Sequence, residues 1–272
     1  MDDEAIGAAG YAIDAIENGA EVYVVFLTAG DCNRLSARLL NRTLGPTAAG
    51  YLVVGRTRIA EAHSAMRLLG VSQNRYFILG YPDRGLQAML ESRSVVVRAR
   101  GTRESTVPYA EALSPGAPYN FASIMGDLQR VFEIARPTTV IAPVAFDFHP
   151  DHRAAAEMMD LTIGNLSLVP QRLGYLVHSA LVPLSLVPRT GRALVPPSRM
   201  RSLEWATYPL NPTVRQKKDA LLRTYRSQGP YASILRNAFV RTNELFFVSA
   251  PQGSVVAIPA SEPPVARAQL AR

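Results

Sequence analysis

Along the first half of the chain, short apolar runs alternate with stretches whose apolar residues recur at helical spacing. From Glu4 to Asn18 the residues Ile6, Ala9, Tyr11, Ile13 and Ile16 keep that spacing, and Asn18-Gly19 supplies the stop. EVYVVFLT, from Glu21 to Thr28, is rich in β-branched and aromatic residues and runs into AGDCN, which reads as a buried strand and its loop. A helix is expected over Arg58 to Leu69, ended by Gly70, and a strand over Arg75 to Leu79 leads into the turn-rich GYPDRG. Phe121 to Ala135 reads as a helix stopped before Pro137, TVIAPV as the next strand, and HPDHRAAAEMMDLTI as the start of a further helix.

Strand and helix in alternation predict an α/β fold, a Rossmann-like, doubly wound and mostly parallel sheet with helices on both faces. In such folds the loops at the carboxyl ends of the strands build the site. Ser92 to Tyr119 is rich in Arg, Thr, Pro and Gly without clear periodicity and is expected to be a loop insertion over the site, of the kind that is functional or mobile. Beyond Leu168 the prolines multiply (LVPLSLVPRTGRALVPP), which predicts a Pro-rich extension of edge strands and irregular chain. A helix over Val214 to Tyr225 and a strand at ELFFVS close a single domain spanning residues 1–250, with 251–272 a loose tail. No internal repeat is present.

Composition narrows the classes. Of 272 residues 48% are hydrophobic and 19% charged, an ordinary globular balance, and no stretch approaches the roughly 18 apolar residues of a spanning helix. The net charge of +7 is nearly all arginine, since Lys217 and Lys218 are the only lysines. These arginines are scattered and form no basic run with interleaved aromatics, which argues against a nucleic-acid partner. Cys32 stands alone, so an intrachain disulfide and a cysteine-only zinc cluster are both excluded. No export signal is visible, and the compartment stays open.

Candidate chemistry gathers in two places. His149 and His152, three apart at the entry to a helix, can face one cavity, with Asp151 between them to cap or orient. At the opening of the chain Asp2 and Asp3 head an otherwise apolar helix, either as dipole partners or as site residues. Hydrolytic zinc sites take three His or carboxylate ligands, leave one position for water and use a further carboxylate as base. Asp2, Asp3, His149 and His152 supply much of that set, one ligand short. Asp147 is a candidate acceptor for an imidazole N–H. His63 and His178 read as structural or exposed residues.

The sequence resembles the LmbE/PIG-L-like family of metal-dependent N-deacetylases, which act on N-acetylglucosamine conjugates. DDEAIGAAG resembles the family's first motif, His-Pro-Asp-Asp-Glu and a small-residue helix, with Met1 in place of the proline; HPDH matches its second. FLTAGD, RIAEAHSAMRLLGV, LGYPDRGL and KKDALLRTYRSQ followed by NELFF resemble further family segments in the same order. The resemblance implies a zinc cofactor, or another divalent metal, held by Asp3 and His152. It implies Asp2 as general base, His149 as acid or electrostatic partner of the tetrahedral intermediate, and Arg58 and Asp83 as contacts to sugar hydroxyls. The substrate implied is a small amino-sugar conjugate; a thiol-precursor glycoside, a glycolipid, an antibiotic intermediate and a chitooligosaccharide are all compatible.

The family's first histidine, a metal ligand, and the strand leading to it would precede Met1. Two accounts follow: a start placed too late, or a protein that has lost its third ligand. The second leads to an alternative function, a catalytically impaired carbohydrate-binding protein indifferent to chelators. No G-x-S-x-G elbow supports a serine hydrolase, and the glycines of IGAAG do not match a dinucleotide-binding fingerprint.

Overall fold

The computed structural model describes residues 1–179, 187–248 and 266–267. The expected tail therefore falls outside the described residues, apart from a two-residue strand, as does part of the proline-rich stretch. The elements run α1 (Asp3–Glu17), β1 (Val24–Thr28), α2 (Arg34–Asn41), α3 (Ala48–Leu69), β2 (Tyr76–Tyr81), α4 (Leu86–Glu91), α5 (Phe121–Ala135) and β3 (Thr139–Pro143). They continue with α6 (Pro150–Asn165), β4 (Gln171–Tyr175), β5 (Trp205–Pro209), α7 (Pro212–Leu222), α8 (Pro230–Phe239), β6 (Asn243–Val248) and β7 (Ala266–Arg267). Among the described residues no helix is long and apolar enough to cross a membrane.

The architecture is α/β, but the strands do not make one mostly parallel sheet. β1 and β2 pair in parallel by themselves, and the other strands form a second sheet in the order β3-β4-β6-β5-β7. There β3 and β4 are parallel, with Pro143 opposite Tyr175, whereas β4, β5, β6 and β7 pair antiparallel. The cause of the mixture is local: β5 and β6 return on each other on either side of α7 and α8, without a right-handed crossover between parallel neighbours. β4 also corrects the expectation for the proline-rich part, because it is an interior strand between β3 and β6.

Helix α3 starts ten residues before Arg58, at a Thr47 cap whose hydroxyl accepts the Gly50 N–H at 3.1 Å. Residues 92–119 contain no helix or strand, yet they are held in place. Val107 N–H donates to Ala117 O and Gly116 N–H to Val107 O, Leu113 N–H donates to Ile78 O at 2.7 Å, and Tyr109 and Tyr119 are buried.

Helix α1 packs against α7, α8 and β6. Its two glycines serve packing: a Cβ on Gly7 would sit 2.4 Å from the Tyr175 ring, and one on Gly10 would sit 2.4 Å from Leu210. The small residues of IGAAG thus let the helix approach β4 and the chain after β5. Close approach is then locked by a buried ion pair. Lys218 Nζ donates to Glu244 at 2.6 Å and to Ile6 O at 2.8 Å, while Glu244 accepts the N–H groups of Gly10 and Tyr11 at 2.7 and 2.8 Å. Both side chains are almost fully enclosed, so removing one partner strands a charge in the core. Lys218→Met is expected to lower the unfolding free energy by about 3–5 kcal/mol in urea titrations, and Lys218→Met/Glu244→Gln to lose less. A single-variant loss under about 1 kcal/mol, the scale of a surface pair, would show that the pair does not anchor α1.

Candidate metal centre

The loops after β1, β2, β3 and β4 and the start of α1 converge on one region. Asp3 Oδ1 stands 3.4 Å from His152 Nε2, at the entry to α6, and 3.6 Å from His178 Nε2, three residues past β4. One ligand atom from each of these three residues lies within 4.8 Å of the other two. Two atoms bound to one zinc at about 2.0–2.2 Å in a tetrahedron stand about 3.4 Å apart, the spacing that Asp3 Oδ1 keeps to each histidine. His178, unremarkable in the sequence, thus occupies a ligand's place.

Asp147 holds the arrangement. Its fully buried carboxylate accepts His152 Nδ1–H at 3.1 Å, the backbone N–H of His149 at 2.8 Å, and those of Val177 and His178 at 3.2 and 3.1 Å. The first of these bonds orients the His152 ring so that Nε2 faces Asp3. The last two tie the β3 loop to the β4 loop. The rings of His149, His152 and His178 pack with centroids 4.7 to 5.2 Å apart.

Charge on these groups follows from burial and neighbours. For His152, burial opposes the cation, but the Asp3 charge and hydrogen bonds to Asp147 and Asp3 outweigh it and raise the ring to about 10. Burial likewise opposes the Asp3 anion, and the charge of His152 overrides it, holding that carboxyl well below its usual range. Asp2 is pushed up to about 8 by burial and then by the Asp3 charge. Its backbone is left-handed at φ 113°, a conformation that costs a non-glycine residue about 1–3 kcal/mol and recurs at functional sites. His149 is lowered to about 4, by burial and then by His152 and His178.

The remaining candidates fall into two groups. Asp151 does not touch the triad: it accepts the N–H groups of Arg84 and Leu86 at 2.5 and 3.1 Å, fixing the turn that carries Asp83. Asp83 accepts the Cys32 N–H at 2.9 Å and has a ligand atom within 4.8 Å of His149 and Asp151. Arg58 is buried and donates to Gly30 O, Ser36 Oγ and Gln228 Oε1, so in this structure it braces the loop after β1 beneath Met1 and is not turned toward solvent.

A carboxylate and two imidazoles set among strand-end loops make a candidate divalent-metal site on an α/β scaffold. Residues 1–162 match the family model described as PIG-L, GlcNAc-PI de-N-acetylase, and the chain belongs to that family. Similar solved structures include N,N'-diacetylchitobiose deacetylase from Pyrococcus horikoshii, at 18% identity and TM-score 0.51 over 91% of this chain and 80% of that one. A zinc-inhibited form of teicoplanin deacetylase Orf2 aligns at 16% identity and TM-score 0.55 over 90% and 93% of the chains. The 4-carboxy-2-hydroxymuconate hydratase GalB from Pseudomonas putida KT2440 aligns at 14% and 0.56 over 94% and 95%. These likenesses establish the fold; since one is a hydratase, the fold by itself does not select the chemistry. Among curated protein sequences none matches the chain.

Asp147→Ala is expected to weaken Zn2+ binding about 10–100-fold by calorimetry, the usual effect of removing a ligand's hydrogen-bond partner. Unchanged affinity would mean that the histidines hold their geometry without it.

Proposed function

We propose that the chain is a metal-dependent N-deacetylase of an N-acetylglucosamine-type conjugate, with Asp3, His152 and His178 holding the metal and zinc the leading candidate. The observation that carries this reading is the meeting of Asp3 Oδ1 with Nε2 of both histidines beside the buried Asp2 carboxyl, in a chain of the PIG-L family. When bound, the metal supplies Lewis acidity toward the amide carbonyl and lowers the pKa of the attacking water. The donor set also accepts iron or cobalt.

The protein's own groups handle protons and orientation. Asp2, raised to about 8, is basic enough to take a proton from water and acidic enough to return it to the departing amine. His149, lowered to about 4, is neutral near pH 7, which favours the electrostatic role over the acid role: its N–H would stabilise the oxyanion of the tetrahedral intermediate. Asp83, half-buried beside His149, is the group best disposed to hold a sugar hydroxyl. Asp147 keeps the imidazoles aligned, and Asp151 keeps the Asp83 turn in place.

Acetate release from N-acetylglucosamine glycosides, with N,N'-diacetylchitobiose as a first probe, tests the reading. Chelation is expected to abolish it, and Asp2→Asn to lower it by about 10²–10⁴ while bound metal is retained. Release that survives both treatments would refute the assignment. Chelator-indifferent sugar binding without acetate release would instead establish the carbohydrate-binding alternative.

A further inference from the structure

Beside the metal centre lies a second set of donors that the proposed chemistry does not use as a set. Asp83, His149 and Asp151 each place a ligand atom within 4.8 Å of the other two. They come from the turn after β2 and the entry to α6, which Asp151 clamps together through Arg84 N–H and Leu86 N–H. Backbone donors orient both carboxylates, at Cys32 N–H for Asp83, yet among the described residues no arginine, lysine or terminal amine forms an ion pair with either. Two carboxylates are therefore held close to each other without a counter-charge. The imidazole between them has a buried Nδ1 with no hydrogen-bond partner. Oriented carboxylates, a ring nitrogen and an unsatisfied polar atom together are what a divalent cation would complete.

We propose that Asp83, His149 and Asp151 form a second divalent-cation site, weaker than the Asp3–His152–His178 centre, whose occupant competes with substrate. Competition follows from the ligands: the cation takes the Asp83 oxygen that would meet a sugar hydroxyl. The His149 ring centroid is 5.2 Å from those of both His152 and His178, so the two sites adjoin. This competition rests on the deacetylase reading; the binding of a second ion does not.

Metal-stripped full-length chain titrated with Zn2+ by calorimetry, with bound metal counted by elemental analysis, tests the site. The wild type is expected to bind two ions per chain with separable affinities. Asp151→Asn and Asp83→Asn, each checked by thermal melting, are expected to bind one, and Asp3→Asn to lose the tighter ion. Two ions retained in either of the first two variants would overturn the proposal. A wild type that binds one ion, lost in Asp3→Asn, would overturn it while leaving the metal centre intact. A wild type that binds none would sink both. In acetate-release assays, free Zn2+ at about ten times the second dissociation constant is expected to raise KM about tenfold with kcat unchanged; a second ion that leaves KM unmoved would overturn the competitive role.

Discussion

The buried pair of Lys218 and Glu244 decides where helix α1 lies, and with it where the first two acids of the site stand. The pair grips the helix backbone on both sides of one turn, at Ile6 O and at the N–H groups of Gly10 and Tyr11. Such charges are tolerated in a core only when hydrogen bonds satisfy nearly all of their valences, as they do here. The two helix glycines bring the backbone close enough for this contact, and the start of α1 then projects Asp2 and Asp3 toward the strand-end loops. A core interaction about one to two turns along the helix therefore positions the acids of the candidate site.

At the far end of that arrangement a single carboxylate organises the histidines. Asp147 binds one imidazole and three backbone N–H groups drawn from two loops, and its hydrogen bonds hold its charge in place despite burial. The rings are thereby held in fixed orientations. The site thus has two independent supports: an ion pair behind α1 and a hydrogen-bonded carboxylate beneath the rings.

Much of this was legible in the sequence. The alternation of strand and helix identified the α/β class, and the acids of DDE and the HPDH stretch supplied four of the candidate site residues, since motif and periodicity are local properties. His178 was not legible, because its place depends on register: Pro143 pairs with Tyr175, which sets the residue three past β4 level with Asp147 four past β3. A lone histidine just beyond a strand that is parallel to the HPDH-bearing one was the available signal, and pairing cannot be read without the fold. The first half of α3 was missed for another reason. Gly50, Val53, Val54 and Gly55 are poor helix formers, and tertiary packing overrides their preference, with Tyr109 set against Gly55. The mixed sheet was hidden because antiparallel and parallel strands share the same apolar alternation.

The loop of residues 92–119 has anchors and a rim that answer to different demands. Tyr109 and Tyr119 are embedded in the core, and Tyr109 donates to Asp31 at 2.5 Å, while Arg93, Arg98, Arg100 and Arg103 remain exposed. The outer arginines can change without straining the inner anchors, as is usual for the exposed part of a loop. The surface of the loop is thus free to vary in sequence while its buried tyrosines hold the fold beneath it.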